Sequence, residues 1–264
     1  MMTTQPITQP ITRPARPPSV TAASLQVAVR ALRKYVRTPG LSVMGIVQSA
    51  MFLFSFRYVF GGAIQAGGAS YVGFLVPSYV ATIVLFTGGG IAVAVAEDRA
   101  QGFTDRLLSL PVLRYSLVLG RVLADSTTNA WSIASTAAFG FLFGFRLRGS
   151  LLDGLAAFGL CLVYGVVFTV VFIVMGLFAP NAQAAQGMAL IAFAFAFISS
   201  TYVPATSMPG WLQPFSKYQP VTPMVDAVRS LLAGSTSDLG LALGWSVLLV
   251  VIFTPIAVLR YRRA

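Results

Sequence analysis

Six continuous apolar runs punctuate the chain, near 41–60, 73–96, 123–145, 154–178, 183–203 and 240–259. A helix needs about 20 apolar residues to cross about 30 Å of hydrocarbon, and each run meets or approaches that length. None of them alternates apolar with polar residues, which excludes a membrane β-barrel. The pattern predicts an all-α polytopic membrane protein with six transmembrane helices. Helical periodicity extends beyond the runs. Across 21–38, Leu25, Ala28, Val29, Leu32 and Val36 share one face, Arg30, Arg33, Lys34 and Arg37 share another, and Pro39-Gly40 closes the stretch. This predicts an N-terminal amphipathic helix lying in the membrane interface; a basic flank that merely sets topology would need no apolar face. Residues 1–20, rich in Thr, Pro and Gln, are expected to form a disordered cytoplasmic tail. No apolar core follows their charges, so they do not read as a signal peptide.

Between the second and third runs lies 97–121, EDRAQGFTDRLLSLPVLRYSLVLGR. A connector needs no periodicity, yet Phe103, Leu107, Leu108 and Leu110 recur at roughly helical spacing beside Asp105 and Arg106 until Pro111 breaks the pattern. A short amphipathic helix is expected there, either resting on lipid or docked on a soluble protein. Within the runs, polar residues are few. Arg57 stands near the outer end of the first, where it reads as a snorkelling side chain or as part of a pathway. Pro77 and Gly88-Gly89-Gly90 in the second suit close helix packing, or a hinge. Arg121 and Asp125 form an i, i+4 pair at the start of the third, and Asp125, Thr128, Asn129, Ser132, Ser135 and Thr136 continue a polar face. That face serves interhelical hydrogen bonds on one reading, and a cavity or subunit interface on the other. After the fifth run, residues 201–234 hold Pro204, Pro209, Pro214, Pro220 and Pro223 with Trp211 and Tyr218. The segment is too apolar for a solvated loop and too Pro-rich for a span. It predicts an extracellular re-entrant or hairpin element anchored by aromatics, ending in a short helix that Gly234 terminates.

Composition agrees: of 264 residues, 56% are hydrophobic and 9% charged, with mean hydropathy +0.80. The net charge of +11 would suggest nucleic acid in a soluble protein, but here it follows topology. With six spans, thirteen Lys and Arg fall on the side of both termini and of the 97–122 loop, against four (Arg146, Arg148, Lys217 and Arg229) on the other. The positive-inside rule puts both termini in the cytoplasm. The basic surface then meets anionic membrane lipid, with no nucleic acid. Histidine is absent and the one cysteine, Cys161, sits mid-span. That excludes disulfides, Cys/His metal sites and Ser-His-Asp hydrolysis, so no catalytic or metal residues are assigned. No G-x-x-x-x-G-K-[ST] occurs, so the chain has no P-loop.

Three stretches in order carry a family resemblance. The first holds Glu97, Arg99, Gly102, Leu107, Leu108, Pro111, Val112 and Arg114, then Leu119-Gly120-Arg121. The second is Val203-Pro204 through Met208-Pro209-Gly210-Trp211-Leu212, and the third is Gln219-Pro220-Val221-Thr222-Pro223 leading to Asp226, Ala227 and Arg229. Together they resemble the permease subunits of type-2 ATP-binding-cassette exporters, in the daunorubicin-resistance-like branch. The common Asn-Pro start of the third motif is Gln219-Pro220 here, so no role is carried over for that side chain. The resemblance implies that 21–264 is one type-2 transmembrane domain, with 21–38 as its connecting helix. It also implies that the short helix within 97–114, which includes Phe103, is a coupling helix seated in a groove of a separate ATPase, and that 204–234 caps the pathway. Two such permeases would work with two ATPase subunits, which bind the ATP and Mg. The cargo would be a drug-like amphiphile or a lipid, exported across a bacterial cytoplasmic membrane. A secondary transporter would need a relay of buried carboxylates, and Asp125 alone is available. A non-transporting interaction subunit is the other alternative.

Overall fold

In the computed structural model, the structure describes Val29, Arg33 and residues 39–60, 71–102 and 114–261. The amphipathic helix expected over 21–38 and the loop helix expected around Phe103, Leu107, Leu108 and Pro111 lie outside the described residues, those two positions of 21–38 apart.

The described chain is helical, with no strand among those residues. Helix α1 covers Pro39–Ser55 and passes into a π-helical turn, Phe56–Phe60. It is followed by α2 (Tyr71–Ala100), α3 (Arg114–Leu142), α4 (Leu151–Phe178) and α5 (Ala182–Ile198). A 3-10 turn (Ala205–Ser207) and two shorter helices, α6 (Gln213–Tyr218) and α7 (Val221–Leu232), precede α8 (Leu239–Tyr261). Among the described residues, three helices are long and apolar enough to cross a membrane: Tyr71–Ala100, Leu151–Phe178 and Leu239–Arg260.

Helix α2 is the axis of the bundle and packs against α3, α4, α5 and α7. Its most apolar window is 72% buried and that of α4 is 78%, whereas that of α8 is 22%. An apolar helix that shows most of its surface requires a non-aqueous surrounding, and Val247, Val251 and Leu259 of α8 all face outward. Small residues set the α2–α4 approach. A Cβ on Gly176 would stand 2.5 Å from the Ala92 carbonyl oxygen, and one on Gly88 would overlap the Phe172 ring. Close backbone approach through small residues is how helices associate where water supplies no driving force.

The helix directions follow from contacts at the two ends. At one end, the last turn of α2 meets α3 through Asp98 and Arg121 and the last turn of α4 through Arg99 and Leu177, while Arg260 near the end of α8 lies over Phe178 at the end of α4. At the other, Arg57 lies against Gly144, and the Gly149 N–H donates to the Leu232 carbonyl at 3.1 Å. Thus α2, α4 and α8 run one way, while α1 and α3 run the other.

Element boundaries differ from the sequence expectation in instructive ways. The second run was bounded at 96, but α2 continues through Glu97, Asp98 and Arg99 to Ala100. A basic residue is favourable in the last turn of a helix. The helix stops where Gly102 takes φ +65 and its N–H caps the Arg99 carbonyl. Similarly, α3 begins at Arg114, nine residues before the apolar run, because the charged stretch before it is helical too.

The proline-rich segment resolves into short turns. Pro204 and Pro220 precede helical turns, Pro214 lies in the first turn of α6, and Pro223 lies in the first turn of α7. Proline is tolerated there because those N–H groups have no intrahelical partner. Gly234, at φ +81, follows α7.

Candidate functional site

Charged side chains from α2 and α3 meet at the end of the bundle that flanks residues 103–113. The last turn of α2 presents three consecutive charges, and a helix turns them to different sides. Glu97 points outward. Asp98 meets α3, where the Arg121 Nη1 lies 2.9 Å from its Oδ2. The same guanidinium places Nε 3.1 Å from Oδ2 of Asp125, one turn further along α3. Arg121 therefore bridges two carboxylates with two edges of one planar group, a geometry that lysine cannot reproduce. Its side chain is 23% exposed, with Asp98 at 43% and Asp125 at 18%, so the inner pair is the less screened.

Arg99 faces the other way. Its Nη1 donates to the Leu177 carbonyl at 2.8 Å, satisfying an acceptor that the end of α4 leaves open. Arg260 of α8 lies over the Phe178 ring at 4.8 Å, within cation–π range. The loop that starts beyond Gly102 and returns at Arg114 is thus tied at both roots. Asp98 and Arg121 hold α2 to α3, and Arg99 holds α2 to α4. A displacement applied to the loop would reach three helices through charge-assisted contacts, not through a slack connector.

The other residues singled out in the sequence fall in separate places. Arg57 is at the opposite end, half-buried, 5.4 Å from the Tyr58 ring centroid. Asn129 is buried and joins three helices: its Oδ1 accepts from Thr87 at 2.7 Å, and its Nδ2 donates to Thr169 at 3.4 Å. Thr136 is buried against Ser49 of α1, hydroxyl to hydroxyl at 3.0 Å. Ser132 is half-buried, its carbonyl accepting from Ser135 within the same helix. The polar face of α3 thus divides: Asn129 and Thr136 are engaged within the chain, whereas Ser132 has no side-chain partner on another described helix.

This division predicts unequal effects. Asn129→Leu removes the interhelical bonds to the Thr87 and Thr169 hydroxyls, leaving Thr87 only the Val84 carbonyl of its own helix, and is expected to cost about 1 kcal/mol, the scale of an interhelical hydrogen bond in a membrane. Ser132→Leu should cost less. Thermal unfolding of the two purified variants in detergent checks the order, and equal losses would refute it.

Of the proline-rich segment, Trp211 is 79% exposed, the largest exposure of any described aromatic side chain. Pro209 is exposed and Pro223 is buried.

Sequence reasoning did not single out the contact that anchors this segment. Arg229 of α7 pairs with Asp226 at 3.0 Å and donates from Nη2 to the Ser200 and Thr201 carbonyls at 2.8 and 3.1 Å. Its guanidinium carbon lies 3.7 Å from the Phe74 ring centroid. One side chain therefore joins α7, the end of α5 and the start of α2. The i, i+3 spacing of Asp226 and Arg229 in an otherwise apolar stretch was the available signal.

Comparison with known proteins agrees with this architecture. The family model for the ABC-2 type transporter matches residues 24–233. The chain is 28% identical over 252 residues to a daunorubicin resistance ABC transporter permease protein of Streptomyces coeruleorubidus, covering 94% of this chain and 89% of that one. It is also 28% identical over 177 residues to a probable doxorubicin resistance ABC transporter permease protein of Mycobacterium tuberculosis, covering 66% of this chain and 64% of that one. With its apolar helices and no P-loop of its own, the chain belongs to the ABC-2 type transporter family, as a multi-pass membrane subunit whose ATP hydrolysis is carried by a separate ATPase subunit.

Proposed function

We propose that the chain is one of two membrane subunits of an ATP-driven exporter that moves an amphipathic or hydrophobic compound, a drug-like molecule or a lipid, out across the bacterial cytoplasmic membrane. Helices α1 to α5 and α8 are its six spans, with both termini and the 97–114 loop in the cytoplasm. Two ATPase subunits bind ATP and Mg, and the loop helix around Leu107 and Leu108 sits on one of them. ATP-driven closure of the ATPases pulls the loop and tilts the helices rooted there against a second permease, identical or paralogous. Such a motion needs a packed interface with two arrangements.

The observation that carries this reading is the Arg121 bridge. An arginine shared between carboxylates on α2 and α3 makes the two roots of the loop one stiff unit, as a force-bearing loop needs. The cargo class rests on a second observation. The buried polar side chains among the described residues are Ser, Thr, Asn and Gln, with no charged residue. Such an interior offers no relay for protons and no cage for a small ion, but suits an amphiphile. The resistance named for the two relatives supports the same class.

Inside-out membrane vesicles holding this chain and a co-expressed ATPase from a neighbouring gene provide the test, with daunorubicin as the probe. The expected result is accumulation that needs ATP and disappears when the ATPase is omitted. Accumulation without ATP that a protonophore abolishes would instead establish a secondary transporter.

A further inference from the structure

The outward face of α8 is not uniformly convex. Beside the end of α6 it forms a groove of about 540 Å³, lined by Tyr218, Gly240, Leu241, Gly244, Trp245 and Leu248. Ligand clefts run from about 300 to 1,000 Å³. The groove exists because two positions on one helical face lack side chains: a Cβ added at Gly240 or Gly244 would meet nothing within 4 Å. Glycine costs a helix about 1 kcal/mol relative to alanine. At Gly240 and Gly244 no helix among the described residues packs into the space so made.

Two further features say what fits. The walls are apolar along the helix, and aromatic where Tyr218 and Trp245 bracket the floor, as at a membrane–water boundary. Lys217 is not itself in the lining, but it holds its ammonium 5.6 Å from the ring centroid of Tyr218, which is; it is exposed and has no ion pair among the described residues. Asp238, at the head of α8, is engaged by the Ser237 hydroxyl at 2.9 Å. An apolar trough with an exposed ammonium beside its Tyr218 wall matches a molecule with an acyl chain and an anionic head.

We infer that this groove is a binding site for one anionic phospholipid, its acyl chain lying over Gly240 and Gly244 between Tyr218 and Trp245, and its phosphate facing Lys217. The site lies on the exposed face of α8. It needs only that the chain is embedded in a membrane. A bound lipid would fill the trough and brace α6 against α8, the point where the proline-rich segment leans on the last span.

Native mass spectrometry of the detergent-solubilised full chain, titrated with dioleoyl-phosphatidylglycerol or dioleoyl-phosphatidylcholine, tests this. The expected result is one phosphatidylglycerol bound in preference to phosphatidylcholine. Gly244→Leu should weaken that binding about ten-fold, the worth of roughly two displaced methylenes. Lys217→Gln should weaken phosphatidylglycerol about five-fold and leave phosphatidylcholine unchanged, as expected for one basic residue at an anionic surface. Gly187→Leu, at an exposed and open position on α5, is the control and should bind like the parent. Equal binding by the parent and Gly244→Leu would overturn the inference. So would a Gly244→Leu chain that keeps its lipid but shifts from dimer to monomer, since the groove would then seat a second copy.

Discussion

Arg121→Ala is expected to lower ATP-driven transport at least about ten-fold while the ATPase still co-purifies, since coupling energies between distant sites run to about 1–3 kcal/mol. The substitution leaves Asp98 and Asp125 facing each other's side of an emptied site. Asp98 is partly solvated and tolerates this; Asp125, less exposed, does not. A stability loss of about 1–3 kcal/mol follows from leaving such a group unpaired. Stability alone does not explain the expected loss of transport, and a double variant separates the two. Arg121→Ala with Asp125→Asn removes the orphaned charge and should recover most of the thermal stability. It does not restore the link between α2 and α3, so transport should stay low. Arg121→Lys keeps a charge but cannot reach both carboxylates at once, and is expected to fall between. If the double variant regains transport along with stability, the bridge is merely structural.

The second large effect is expected at the loop itself. Leu107→Asp with Leu108→Asp places two carboxylates among the apolar residues of the proposed coupling segment. Anchors at a protein interface are worth about 2 kcal/mol or more each. Losing two weakens docking about a thousand-fold, at 1.4 kcal/mol for each factor of ten. The ATPase should no longer co-purify, and vesicle transport should drop to background. A helix resting on lipid would respond differently, leaving the membrane surface while the ATPase stayed bound through other contacts.

Much of this was legible in the sequence because a membrane simplifies the physics. Apolar runs long enough to span hydrocarbon mark helices directly, and prolines mark where helices start. Gly234 marked the end of α7, whereas its start lies before Pro223, at Val221. The Arg121–Asp125 pair was visible as an i, i+4 spacing. Long-range partners were not. Asp98 is 23 residues from Arg121, and nothing in the local pattern says that the end of α2 turns toward the start of α3. Ser49 and Thr136 are separated by 87 residues, so neither hydroxyl announces the other. Arg229 belonged to a motif by its spacing, yet its carbonyl partners at Ser200 and Thr201 depend on how α5 ends. The end of α2 was placed early because the charges at 97–99 read as loop, although they belong to a helix that Gly102 terminates.

Site-directed cross-linking tests the coupling claim most directly. Cys161 is fully buried, so an added thiol is the reactive one. Leu107→Cys, labelled with a photoactivatable maleimide in membranes that contain the ATPase, is expected to yield a covalent adduct between the two chains. Leu151→Cys, 77% exposed at the opposite end of the bundle, is expected to yield none. An adduct from Leu151→Cys, or no adduct from Leu107→Cys while the ATPase remains bound, would contradict the assignment of the 97–114 loop as the coupling element.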